Sequence, residues 1–175
     1  MISKTNIFLI GPMGSGKTAV GRHLARLFRF TFLDSDADIE ARTGVDISFI
    51  FEKEGEAGFR IRERESIDRL TRMESIVLAT GGGAVIDADN RRALAERGVV
   101  VYLKTSIDQQ IERTRHARHR PLLNDTDPEE KLKDLMRRRA ALYAEIANVT
   151  VSTDGRRVQT VAEEILQELR RAYGP

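Results

Sequence analysis

The stretch Gly11–Thr18, "GPMGSGKT", constrains this chain most, because it follows the apolar run "NIFLI" (6–10) and opens a segment of helical period. It matches G-x-x-x-x-G-K-[ST] in full. Glycines let a backbone curl until successive N–H groups converge on phosphate oxygens. A lysine adds positive charge there, and a Ser or Thr hydroxyl can ligate Mg²⁺. The helix starting at Lys17 aims the positive end of its dipole at the same place. Strand, phosphate loop and helix in that order point to a nucleoside triphosphate with Mg²⁺. They leave the phosphate acceptor unspecified.

The rest of the chain alternates in the way such a loop requires. Further strands are predicted at "TFLD" (31–34), "SIVLAT" (75–80), "VVVYLK" (99–104) and "NVTVS" (148–152). Val20, Leu24, Leu27 and Phe28 recur at helix spacing in the first helix; Val158, Val161, Ile165, Leu166 and Leu169 do so in the last. The fold class is therefore α/β, a P-loop NTPase fold with a five-stranded parallel sheet flanked by helices. Ligands of such sheets bind beyond the carboxyl ends of the strands. Two stretches interrupt the alternation. Residues 44–73 hold helical signals with no strand, and with the aspartates before them make an insertion over about 34–73. Residues 115–127, "RHARHRPLLNDTD", lack periodicity and read as a mobile surface loop, a lid.

At 175 residues the chain is expected to form one domain. A net charge of +2 does not announce a nucleic-acid binder, although a pI of about 9.1 keeps that open. The absence of Cys excludes disulfides and cysteine zinc sites. No segment is apolar for long enough to span a bilayer or act as a signal peptide, so a cytoplasmic protein is expected.

Asp34, Asp36 and Asp38 crowd the end of the second strand, where like charges repel unless a cation or donors offset them. A P-loop metal site draws a carboxylate from a neighbouring strand. The third strand runs into glycines, so Asp34 is assigned to the Mg²⁺ side, beside Thr18, and its reading as a mere helix cap is rejected. Asp36, nearer the rim, suits a substrate hydroxyl; Asp38 is assigned to helix capping and the dipole. Gly81–Gly83 at the end of the third strand permits close backbone approach to a ligand.

Among the arginines, "RIRERE" (60–65) and "RRR" (137–139) look mainly solvent-facing. Helical phase nevertheless puts Arg139 inside the apolar stripe of Leu132, Leu135, Met136, Leu142, Tyr143 and Ile146, and Arg60 near an inner face. A buried guanidinium needs an internal carboxylate or an anionic ligand, and the pattern alone does not choose. Arg113, Arg115, Arg118 and Arg120 form a basic cluster around the loop. With no aromatic residue among them to stack bases, a phosphate-closing lid is favoured over nucleic-acid binding. His116 and His119 lack a third metal ligand and read as surface residues.

Taken together, "GPMGSGKT", "FLDSD", "IFEKEGEAGFRIRE", "ATGGG", "RPLL" and "RAALY" closely resemble the bacterial shikimate kinases, across nearly the whole chain. The resemblance implies a nucleoside-monophosphate-kinase-like fold, a monomer, and ATP-dependent phosphorylation of the 3-hydroxyl of shikimate on the chorismate route to aromatic amino acids. It implies that Asp36, Arg60, Gly82 and Arg139 hold shikimate, both arginines serving its carboxylate. ATP would lie on Gly14, Ser15, Gly16, Lys17, Thr18 and Ala19, with Arg156 on the adenine side. Arg120 would meet the transferred phosphate. Catalysis would then rest on Asp36, Lys17 and Arg120, with Thr18 and Asp34 at Mg²⁺. Rival readings are a gluconate or nucleotide kinase, and a nucleotide-dependent nucleic-acid-binding module.

Overall fold

A computed structural model describes residues 5–115 and 127–174. Five strands, β1 (Asn6–Ile10), β2 (Thr31–Asp34), β3 (Ile76–Ala79), β4 (Gly98–Lys104) and β5 (Val149–Ser152), form one sheet in the order β2-β3-β1-β4-β5. Every pairing is parallel. Parallel strands must be covered on both faces, and β1 shows how. Its Ile7 and Leu9 point into one apolar cluster and its Phe8 and Ile10 into another.

The first cluster is closed by α1 (Lys17–Phe28) and α7 (Val158–Tyr173), through Val20, Leu24, Ile165 and Leu169. The second is closed by α3 (Ile47–Leu70), α4 (Ala88–Arg97) and α6 (Pro128–Ile146), through Ile67, Leu94 and Tyr143. The remaining helices are α2 (Ser35–Thr43) and α5 (Ile107–Thr114), with a 3-10 turn at Ala84–Ile86. The predicted strands match to within a residue. β3 starts after Ser75 because that residue takes a left-handed φ of 57°. At the ends of the predicted stripes, Leu27 and Val158 are exposed, while Ala25 and Ala162 turn inward instead.

The predicted insertion holds two helices, α2 and α3, joined by a short link at 44–46. α2 begins on a cap from Asp34, and α3 bends at Gly55, whose φ of 71° and ψ of −179° interrupt the helix. Glu54 spans the bend. Its carboxylate takes Nε and Nη2 of Arg62 at 2.9 and 2.6 Å, a two-bonded fork that fixes the angle between the halves. The connection from β1 runs to β2 on one side of it and that from the adjacent β4 to β5 on the other, so the crevice opens at the carboxyl end of β1.

Candidate active site

A cleft of about 850 Å³ lies along the carboxyl edge of the sheet. Its phosphate side is main chain. The loop after β1 delivers α1 through Gly16, which caps that helix in a left-handed conformation (φ 85°) and offers no side-chain cap. The first N–H groups of α1 are thus left for an anion. Lys17 folds over its own loop, donating to the Gly11 and Pro12 carbonyls at 2.7 and 2.9 Å. Ser15 is buried, while Gly14, Thr18 and Ala19 line the cleft.

Asp34 serves two partners. One oxygen accepts from the Asp36 and Ala37 amides at 2.9 and 3.2 Å; the other accepts the Thr18 hydroxyl at 3.1 Å. The rejection of a capping role is therefore corrected. Asp34 ends β2 where a helix must start at once, so its carboxylate caps α2 as well as facing Thr18. The capping assignment of Asp38 is corrected too: Asp34 is the cap, and Asp38, in the first turn of α2, accepts Ser66 Oγ at 2.7 Å and pairs with Arg69, tying α2 to α3. A hydroxyl and a carboxylate oxygen so close are hard donors that suit a divalent cation completed by phosphate and water. No cluster of three metal-binding side chains occurs among the described residues, so phosphate oxygens would have to supply the other ligands.

The acceptor side is built from buried charge around the three glycines, and each glycine is needed by a different neighbour. A Cβ on Gly81 would lie 2.9 Å from Glu63 Oε2 and 3.1 Å from Asp36 Oδ1. On Gly82 it would lie 3.3 Å from the Met13 amide and 3.6 Å from Arg139 Nη1. On Gly83 it would collide with Arg60 at 2.6 Å from Nη1. A side chain on Gly81 or Gly83 would crowd Glu63, Asp36 or Arg60, and one on Gly82 would press on the Met13 amide.

Arg60 Nη1 donates to Glu63 at 2.8 Å and its Nη2 to Glu56 at 3.1 Å. Burial draws the Arg60 guanidinium down, but the two glutamates more than offset it and leave it above its ordinary value. Glu63 is 1% exposed, against the reading of "RIRERE" as solvent-facing. It lies three residues after Arg60 and four before the buried Ile67, a phase that would have revealed it. Burial pushes its carboxyl up despite the pull of Arg60.

Arg139 is 4% exposed and lines the cleft, while Arg137 and Arg138 face solvent. Its Nε is buried without a hydrogen-bond partner, and no carboxylate pairs with it among the described residues. Burial and the neighbouring Arg60 depress its basicity.

Arg156, expected on the adenine side, stands just after β5. It reaches the Ser152 carbonyl at 2.9 Å, pairs with Glu164 on α7, and does not line the cleft. The cleft arginine near β5 is Arg113, which bridges Gly14 O at 2.9 Å and the Thr153 carbonyl at 2.9 Å. Arg113 closes the last turn of α5 and Arg115 pairs with Glu112, so the first two arginines of the expected basic cluster are already engaged. Arg118, Arg120, His116 and His119 lie outside the described residues.

A family model for shikimate kinase matches residues 13–170. The chain is 54% identical to a shikimate kinase of Halorhodospira halophila over 95% of its length and 94% of that protein's. It is 52% identical to one of Aliivibrio salmonicida, covering 97% and 98%. Among solved structures, shikimate kinase from Acinetobacter baumannii in complex with shikimate superposes with a TM-score of 0.95 at 50% identity, covering 97% of this chain and 94% of that one.

Proposed function

The chain belongs to the shikimate kinase family, and from that premise we propose that it transfers the γ-phosphoryl group of ATP to the 3-hydroxyl of shikimate, giving shikimate 3-phosphate and ADP for aromatic amino acid synthesis. The observation that carries the acceptor is Arg139, a buried guanidinium with no carboxylate pair among the described residues, beside Arg60 and facing the cleft that Asp36 lines. Such a charge is destabilising by several kcal/mol until an anion arrives, which a carboxylic acid substrate supplies.

The steps assign themselves to residues by position. Asp36 accepts the hydrogen of the 3-hydroxyl and turns its oxygen toward the γ-phosphorus. A bond forms between that oxygen and phosphorus as the bond to the β–γ bridging oxygen breaks. ADP keeps the electron pair, and the hydroxyl proton passes to Asp36. The transition state is loose, so positioning and charge neutralisation outweigh early proton removal. Lys17 would leave its own loop carbonyls for the β- and γ-phosphates. Gly14 to Ala19 would hold the triphosphate, and Gly82 and the two arginines the acceptor. Arg120 is assigned the migrating charge by family resemblance alone.

The family chemistry calls for a divalent metal, and Mg²⁺ is our reading, held by Thr18 and Asp34. When bound it would neutralise phosphate charge. The organisation proposed is one domain, with residues 34–73 forming the acceptor-binding insertion and 115–127 the lid. No helix among the described residues is long and apolar enough to cross a membrane. A cytoplasmic monomer without nucleic-acid or membrane partners is proposed.

The deciding assay couples ADP release to acceptor, offering shikimate, gluconate and nucleoside monophosphates in turn. ADP release dependent on shikimate is expected. Preference for gluconate or a nucleotide removes the assignment.

A further inference from the structure

Tyr143 is the largest of the fully buried side chains, and it sits one helical turn after Arg139 on α6. Its ring stacks on Tyr102 of β4, with centroids 5.0 Å apart and planes inclined by 24°. Packing accounts for the ring. It does not account for the hydroxyl, which donates to the Gly82 carbonyl at 2.5 Å across 61 residues of sequence. The same hydroxyl faces the Arg139 guanidinium, whose Nη1 lies 3.6 Å from where a Cβ on Gly82 would stand. One phenol oxygen therefore touches both the glycine turn and the arginine that carry the acceptor site.

The turn needs such a tether. A glycine segment without side chains has nothing of its own to hold its peptide planes against rotation. A carbonyl fixed to α6 orients the whole trans peptide between Gly82 and Gly83, with its N–H pointing the opposite way. Arg139 has the converse problem. Its Nε lacks a hydrogen-bond partner and it forms no ion pair among the described residues, so the neighbouring hydroxyl helps to limit its travel.

We propose that Tyr143 is a positioning residue for acceptor binding, holding the Gly82 peptide and the Arg139 guanidinium in register for the substrate carboxylate. It does not touch substrate. The proposal rests on the acceptor reading above and adds to it the group that keeps the two recognition elements aligned. Burial raises the Tyr143 hydroxyl well above its ordinary pKa, so it remains a proton donor across the working pH range.

The test is Tyr143→Phe in the full chain, which keeps the ring and removes only the oxygen. Loss of a buried hydrogen bond that orders a binding site should raise both the shikimate Kd by calorimetry and the shikimate KM about tenfold. The ATP KM and kcat should stay within about twofold. A tyrosine that only packs would lower Tm and leave the shikimate KM alone, and that result overturns the proposal. Tyr102→Phe controls for the loss of a phenol oxygen from the same stacked pair. It should leave the shikimate KM at the wild-type value, and an equal rise in both variants also overturns the proposal. If wild-type protein binds no shikimate, the acceptor reading falls and takes this role with it. If wild type binds and Tyr143→Phe binds equally well, only Tyr143 loses its role.

Discussion

The two halves of the cleft solve opposite physical problems. On the phosphate side the ligand is expected to be highly charged and the protein answers with main chain: a curled loop, the open end of α1 and one lysine, all within Gly11–Thr18. On the acceptor side the ligand is small and singly charged, and the protein answers with side chains from distant segments. Asp36 comes from α2, Arg60 and Glu63 from α3, Arg139 and Tyr143 from α6, all packed on the glycines after β3. Backbone donors are made by local folding and carry little desolvation penalty. Buried charges exist only once the whole sheet is assembled, and each leaves its neighbours with shifted pKa values.

If the halves are separable, a change in one should spare ligand binding in the other. The largest expected effect is on the acceptor side. Asp36→Asn keeps the shape and removes the charge that orients the hydroxyl, so kcat should fall by about 100-fold or more while nucleotide affinity is retained. Steady-state kinetics with nucleotide titration calorimetry checks this; an unchanged kcat would strip Asp36 of its role. Next comes Gly11→Ala on the phosphate side. Gly11 has φ 147°, and a Cβ there would meet the Leu103 carbonyl at 2.6 Å. Nucleotide affinity should drop about tenfold and stability by about 2 kcal/mol, with shikimate binding in the absence of nucleotide untouched. If shikimate affinity fell in step, the halves would be one cooperative unit.

The smallest effect is on stability against pH. The folded-state pKa of Glu63 is raised above the ordinary 4.5, so the folded chain holds that proton more tightly than the unfolded one. The penalty is absent below the unfolded pKa and grows as pH rises through the folded pKa. Glu63→Gln lacks the titration. Wild-type Tm minus variant Tm should therefore decline as pH climbs from below 4.5 toward neutrality. A flat difference would mean that Arg60 fully compensates for burial.

The same contrast explains what could be read before any coordinates. The phosphate loop is contiguous, so its residues and its strand–loop–helix setting are plain in the sequence. Strand positions were legible because parallel strands are buried on both faces and read as apolar runs. Arg139 was legible as a charge on an apolar stripe, though its lack of an internal carboxylate was not. Glu63 was hidden because "RIRERE" looks uniformly polar; only its phase relative to Arg60 and Ile67 separates it from Arg64 and Glu65. The double duty of Asp34 was missed because capping and metal binding were treated as alternatives, although a carboxylate has two oxygens. The pairing of Arg156 with Glu164 in the next helix is a contact that no motif encodes.

The bend at Gly55 has a further consequence for how this chain can change. Unbroken, the residues of α3 would make a rod of about 36 Å, and its amino-terminal half would be carried off the cleft. With φ 71° and ψ −179°, the corner admits only glycine at low strain, and the Glu54–Arg62 fork sets its angle. One residue more or less between that corner and Arg60 would turn the first half of α3 by about 100° relative to the second, taking Ile47, Ser48 and Phe51 off the cleft they line and Glu54 off Arg62.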